Sequence, residues 1–366
     1  MLGQQELHEI CEKFIIYGDF IVGVPFGAGH INDTYQITCD QGGLRVHYTL
    51  QKINPKVFHN PHRVMDNVDR VTAHLCRKYR ENNRFLHRRT LRLLRTYTNV
   101  PYVFDDNGNC WRTYVFVENA RSYNVLESDK MAYSVAYAFG EFQRDLVDLP
   151  GERLYETIPN FHNTPWRISN LFDAAKQDVC GRANKVAREL DFVYQRCKEA
   201  GTLIELHKSG DIPERITHND TKVNNLLIDD YTGEGVCVMD LDTVMPGLAL
   251  YDFGDMVRTG ASVAEEDEVN LDKVEMSLSR FEALLRGYTG AAGAFLTPAE
   301  REYLPFSAKL ITMEIGTRFL TDYLKGDIYF KTKRPEHNLE RARNQFKLVE
   351  SMEAQMSKMK DLLLQI

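Results

Sequence analysis

The hydrophobic period of this chain changes near residue 118, and that change constrains the fold more than any other feature. Before it, segments 20–24, 34–38 and 44–53 are short, rich in β-branched and aromatic residues, and separated by glycine turns at 27–29 and 41–43. They predict consecutive antiparallel strands. A short amphipathic helix is expected over 4–17, with Leu7, Ile10, Cys11 and Phe14 on one face, and a longer one over 60–81, with Val64, Val68, Val71 and Leu75 aligned. Further strands are expected at 91–95, 102–104 and 111–117, the last two flanking the turn Asp106-Asn107-Gly108. From residue 129 the spacing is helical, over 129–147, 168–177, 182–208, 249–258, 267–288, 298–324 and a charged final segment, 336–364. A chain of 366 residues exceeds the ~250–300 at which a single core stops growing. The expectation is an α+β fold of two lobes: a small antiparallel sheet with one main helix over 1–118, and a larger, mainly helical lobe over 119–366.

Charge and cysteine usage exclude several classes. Lys and Arg number 45 against 52 Asp and Glu, a net charge of −7 that gives no global attraction to nucleic acid or anionic lipid. Arg84, Arg88, Arg89, Arg92 and Arg95 crowd together, but no stacking aromatics interleave with them, so they read as a solvated face. The 7 cysteines contain no Cys-x-x-Cys pair and read as reduced thiols, neither disulfide framework nor zinc site. The acidic opening and the absence of any apolar run near the ~20 residues of a membrane span predict a cytoplasmic protein. Neither nucleic acid nor membrane is an expected partner, and a monomer or weak homodimer is.

Between two of the helical stretches, segment 215–242 breaks the pattern with short apolar strands around polar residues. A strand delivers His218 and Asp220 into a tight loop, Asn225 opens the returning strand, and a hairpin brings Asp240 alongside. Two carboxylates and an amide converging in this way suit phosphoryl transfer. One Asp orients and deprotonates an acceptor hydroxyl, while an Asn and a second Asp hold the Mg²⁺ that bridges nucleotide phosphates.

His218-x-Asp220-x4-Asn225, followed fifteen residues later by Asp240 at the end of an apolar strand, resembles the catalytic and metal loops of the aminoglycoside phosphotransferase and choline kinase family, relatives of the protein kinases. The resemblance implies a bilobal protein-kinase-like fold, ATP and Mg²⁺ as cofactors, Asp220 as the catalytic residue, and Asn225 and Asp240 as metal ligands. Lys222 is expected near the transferred phosphate. Asp242 is a weaker candidate for metal or substrate, and His218 and Asp252 are expected to brace the loop. Gly27, Gly29, Asn32 and Thr34 then belong to a nucleotide-positioning turn, and Phe116, Val117 and Glu118 to a hinge against adenine. The phosphate-gripping lysine should be Lys52, although the family's pattern puts the basic residue where Gln51 stands, and strand alternation aims the two side chains apart. No Glu follows in 60–75 to pair with it.

Segments around Gln51-Lys52, 217–225, 238–247 and 316–324 are similar to the N-acetylhexosamine 1-kinase branch of that family. This implies a sugar acceptor phosphorylated at its anomeric hydroxyl, with Arg318 and Tyr329, and also His30 and Gln51, gripping the sugar beside Asp220. Kinases of other small alcohols, and a nucleotide-binding regulator without catalysis, remain the alternatives.

Overall fold

The computed structural model describes residues 2–27, 31–82 and 88–366. Gly29, His30 and Arg84, singled out above, lie outside the described residues.

Helix α1 (Gln4–Cys11) is followed by β1 (Asp19–Pro25), β2 (Asp33–Gln41), β3 (Leu44–Lys52), α2 (Pro61–Glu81), β4 (Val103–Phe104) and β5 (Cys110–Val115). The strands form one antiparallel sheet in the order β1-β2-β3-β5-β4. Alternation aims Tyr35, Ile37 and Cys39 of β2 inward, where they join Leu7, Ile10 and Phe14 in an apolar cluster under α1. Asn60 caps α2 by accepting the Arg63 N–H, Pro61 opens the first turn, and Val64, Val68, Val71 and Leu75 are buried as the spacing predicts. Their partners lie in the larger core, which continues into the C-terminal helices.

After β6 (Ala120–Arg121) come α3 (Asp129–Leu146), α4 (Thr164–Gln177), α5 (Ala187–Arg196), α6 (Thr202–Ser209), β7 (Arg215–Thr217), β8 (Leu226–Asp229), β9 (Gly235–Val238), β10 (Met245–Gly247), α7 (Ala249–Gly260), α8 (Leu278–Ala292), α9 (Pro298–Glu302), α10 (Leu304–Leu324) and α11 (His337–Leu363). Two small sheets, β6-β8-β9 and β10-β7, carry segment 215–247. Helix α10, buried along most of its length, packs between α7, α4 and α11. The α+β expectation therefore holds, with an antiparallel sheet first and helices after it.

Several expected elements break. Helix α1 stops at Cys11 because Phe14 leaves the helix to bridge Thr96. Segment 91–95 makes only one bridge, Leu93 to Tyr114, and is no strand. The expected helix over 182–208 divides into α5 and α6 around a 3₁₀ turn at Cys197–Glu199. Over 267–288 the helix begins only at Leu278, capped by Ser277, after an irregular stretch anchored by buried Val274 and Met276. Segment 298–324 splits at Tyr303 because Pro305, which has no N–H to give, sits in the first turn of α10.

All seven cysteines are free, and among the described residues no helix is long and apolar enough to cross a membrane. Of the arginine run, Arg88 pairs with Asp229 and Arg95 with Asp69.

Helices α3 and α8 approach so closely that a Cβ on Gly287 would lie 2.3 Å from the Tyr133 carbonyl oxygen. Gly287→Val should therefore cost about 1–3 kcal/mol or more through overpacking, seen as a lowered midpoint in urea unfolding; an unchanged midpoint contradicts this packing.

Asp229 closes the β8–β9 turn, its Oδ1 accepting the N–H groups of Tyr231 and Thr232 at 2.8 Å each. The Thr232 N–H and the Arg88 guanidinium hold this carboxyl down at about 2. Because that lies below the unfolded value of about 3.9, the stabilisation is present above about pH 4 and is lost as pH falls through about 2. Asp229→Asn should flatten the acid limb of the thermal midpoint across that window, whereas parallel limbs for the two proteins contradict the assignment.

Candidate active site

The loop after β7 is built almost wholly from polar contacts. Asp252, buried on α7, accepts the backbone N–H of His218 at 2.9 Å and of Asn219 at 2.7 Å, and takes the Gln143 amide as well. Burial raises the Asp252 carboxyl above its ordinary range, while those donors oppose the rise. Asn219 stands in the left-handed region, φ 65°, with its amide donating to the Thr243 carbonyl at 2.9 Å. Strand β10 closes over this turn at Gly247, where a Cβ would meet Thr217 Oγ1 at 2.3 Å and Asn219 Oδ1 at 2.7 Å; only glycine permits that approach.

His218 spans the two strands. Its Nε2 lies 2.9 Å from the Met239 carbonyl, which can only accept, and its Nδ1 receives the Asp220 N–H at 3.3 Å. With Nε2 donating to that carbonyl, the ring acts as a tie between the loop and the end of β9. Below it, buried His162 reaches Glu314 with Nδ1 at 2.8 Å and the Asn219 carbonyl with Nε2 at 2.9 Å. Neither His162 nor Glu314 was distinguishable by spacing, since the turn before α4 and helix α10 supply them from 152 residues apart.

The structure brings Asp220, Lys222, Asp240, Asp242, Arg318 and Tyr329 around one cavity of about 80 Å³, with Glu266 and Phe161 also in its wall. Asn225 donates through Nδ2 to Asp220 Oδ2 at 2.9 Å and to the Asp220 carbonyl at 2.7 Å. Its backbone carbonyl accepts the Met239 N–H at 2.9 Å, which ties it to the residue before Asp240. Lys222 Nζ lies 3.2 Å from Asp220 Oδ1. Burial would raise the Asp220 carboxyl, but the Lys222 ammonium and His218 outweigh it and hold Asp220 below its usual range. Asp220 in turn raises Lys222.

Asp240 has the opposite electrostatics. It keeps solvent contact at the cavity floor, in left-handed backbone at φ 58°, and among the described residues its carboxylate accepts no hydrogen bond. Crowding by protein, then the carboxylates of Asp242 and Asp220, push it up to about 6. This is a site with surplus negative charge and free oxygen atoms, Asn225 Oδ1 included. Hard oxygen donors of this kind fit a divalent cation such as Mg²⁺. Among the described residues no three His, Cys, Asp or Glu side chains form a metal cage by themselves; Mg²⁺ commonly takes one or two carboxylates, with phosphates and water completing the shell.

Asp242 is committed elsewhere. Its Oδ1 pairs with Arg112 of β5, which is fully buried, and its Oδ2 accepts the Asn32 amide at 2.7 Å. Burial lowers the Arg112 guanidinium pKa, and Asp242 more than restores it. Arg112 also donates to Gln51 Oε1 at 3.0 and 2.6 Å, and Gln51 Nε2 donates to Thr34 Oγ1 at 3.0 Å. Gln51, Asn32 and Thr34 therefore form a bracket around the Arg112–Asp242 pair and do not line the cavity. Register through β3 is unbroken, so Lys52 points away from Gln51 and pairs with Asp33 at 2.8 Å. Gly27, at φ 81°, follows Phe26, whose ring meets that of Phe116 edge-on at 5.3 Å. Val117 is buried, Glu118 holds His47 at 2.6 Å, and Gly27, Phe116, Val117 and Glu118 do not line the cavity. A charged residue inside the apolar strand 110–115 was the available signal for Arg112.

Residues 22–293 match the model of the phosphotransferase enzyme family, APH. Among solved structures, the chain is similar to an aminoglycoside phosphotransferase from Alicyclobacillus acidocaldarius, with a TM-score of 0.60 and 12% identity over 100% of this chain and 97% of that one. Spectinomycin phosphotransferase, in complex with ADP and spectinomycin, matches with a TM-score of 0.58 and 11% identity, over 96% and 99% of the two chains. Choline kinase from Cryptosporidium parvum matches with a TM-score of 0.57 and 13% identity, over 99% of each. At these identities the three structures define the fold, which is that of the kinase-like phosphotransferases. The chain belongs to the phosphotransferase enzyme family.

Removing one partner of a buried pair leaves the other charge uncompensated. Arg112→Met should cost about 3–5 kcal/mol of unfolding free energy, and Arg112→Met/Asp242→Leu should recover most of it in chemical denaturation. A single variant as stable as the parent contradicts the pairing.

Proposed function

We propose that the chain is an ATP- and Mg²⁺-dependent kinase that transfers the γ-phosphate to the anomeric hydroxyl of an N-acetylhexosamine. The observation that carries this reading is the meeting of Asp220, with Asn225 bonded to it, and Asp240 at a cavity that also holds Arg318 and Tyr329. Residues 1–118 are the nucleotide-binding lobe and 119–366 the catalytic and substrate-binding lobe.

Asp220, held ionised by Lys222, accepts the hydroxyl proton and directs the oxygen at phosphorus. Asn225 Oδ1 and Asp240 hold Mg²⁺, which when bound neutralises phosphate charge. Lys222 lies within reach of the transferred group and stabilises charge on it. The ADP in the spectinomycin phosphotransferase supports a nucleotide donor here. Arg318, stacked over Phe161 at 4.8 Å and flanked by Tyr329 and Phe330, is a rigid donor for sugar oxygens and the acetamido carbonyl.

Pure protein with ATP, Mg²⁺ and a hexosamine panel should yield a sugar 1-phosphate, detected by ³¹P NMR; no product from any N-acetylhexosamine removes the acceptor assignment, and product from an amino alcohol or aminoglycoside redirects it. Asp220→Asn should lower kcat by roughly 10²–10⁴ with little change in ADP affinity by calorimetry. Retained turnover in that variant refutes Asp220 as the base.

A further inference from the structure

A second cavity, of about 200 Å³, lies on the far side of Arg318, Tyr329 and Phe330, which line both spaces. Its other walls include Trp166, Arg167, Lys325 and the carboxylate of Asp322. The charges here are unbalanced. Among the described residues Arg318 has ring contacts but no hydrogen bond or salt bridge, although its charge helps to hold the Glu314 carboxyl down. Arg167 stacks on Trp166 at 5.0 Å and spends Nε and Nη2 on the Phe161 carbonyl, at 3.2 and 2.9 Å. Both guanidiniums thus rest on Phe161, one on its ring and one on its carbonyl.

Nearby carboxylates are already engaged. Asp322 Oδ1 accepts the N–H groups of Ile328 and Tyr329 at 3.0 and 2.8 Å, and Oδ2 accepts Phe330 N–H at 2.9 Å and the Asn338 amide at 3.0 Å. Glu314 is held by His162 and Thr164. Burial first, and then the Arg318 charge, push Arg167 down to about 10, with Glu314 opposing them. Lys325, exposed at the rim, adds a third cation. Such a cluster repels cationic acceptors and is complementary to an oxyanion, which guanidiniums bind in bidentate fashion.

We propose that this cavity is an acceptor subsite for an oxyanion substituent, carboxylate or sulfate, at the end of the sugar ring remote from the phosphorylated hydroxyl. The inference rests on the sugar-kinase reading: with the anomeric hydroxyl at Asp220, the C6 end of a pyranose extends past Arg318 and Tyr329 toward Arg167. Arg167 and Lys325 are then specificity-determining residues, and Trp166 is the platform beneath the substituent.

The chain has 2 tryptophans, and Trp111 is fully buried, so a ligand-dependent change in emission reports on Trp166 without turnover. N-acetylglucosamine 6-sulfate should quench that emission saturably, and in the Mg²⁺–ATP assay its kcat/KM should exceed that of N-acetylglucosamine by about tenfold or more. Arg167→Gln should bring the ratio toward one, and the rim variant Lys325→Glu, which disturbs no packing, should lower it too. Equal or poorer use of the sulfated sugar together with silent Trp166 emission overturns the proposal. A response to inorganic sulfate alone, without one to the sulfated sugar, also overturns it, leaving an isolated anion site. If no sugar is phosphorylated but the sulfated sugar still quenches Trp166, and Arg167→Gln abolishes the quench, the subsite stands and the kinase assignment falls.

Discussion

Arg112 and Asp242 face each other in the interior, 130 positions apart in sequence and both nearly sealed from water. Two buried charges are tolerable only when each is paired and its remaining valences are filled. Here Gln51 fills those of Arg112 and Asn32 those of Asp242. Because Asp242 lies two residues beyond Asp240, whatever fixes the first fixes the second. The five-stranded sheet, through β5, thereby sets the position of the carboxylate on the cavity floor. That Asp240 adopts left-handed backbone, a conformation disfavoured for non-glycine residues, shows how firmly its surroundings hold it.

The opposite wall is held by polar bracing of a different kind. Asp252 anchors two successive N–H groups of the loop that carries Asp220, and His162 holds the next carbonyl from beneath. The loop itself contributes little apolar surface, so its shape depends on these bonds and on the close approach of Gly247. Electrostatic preorganisation follows: Asp220 is kept ionised by its neighbours while Asp240 carries charge that no protein donor satisfies.

Much of this was legible in the residues. Period-two segments gave β1, β2 and β3, and the apolar face of α2 appeared in Val64, Val68, Val71 and Leu75. The grouping of Asp220, Asn225 and Asp240 was readable because the tight loop after β7 and the β8–β9 hairpin bring them together over a short span of chain. Contacts that depend on tertiary folding were not readable. Gln51 and Asn32 looked like ligand-facing residues, yet Gln51 braces Arg112 and Asn32 braces Asp242, roles visible only once β3 lies beside β5. Breaks within the long helical stretches at Tyr303 and Ser277 came from a proline in a first turn and from a side-chain cap, local signals that the hydrophobic period overrides when read alone.

The central claim is that separate stretches of chain assemble one cation and nucleotide site. Its most direct test is electron paramagnetic resonance of Mn²⁺, used in place of Mg²⁺, titrated with protein and ADP. The account predicts that the parent protein immobilises the ion when ADP is present and that Asp240→Asn, still folded by circular dichroism, weakens this by about tenfold or more. Equal binding of Mn²⁺–ADP by the two proteins would contradict it.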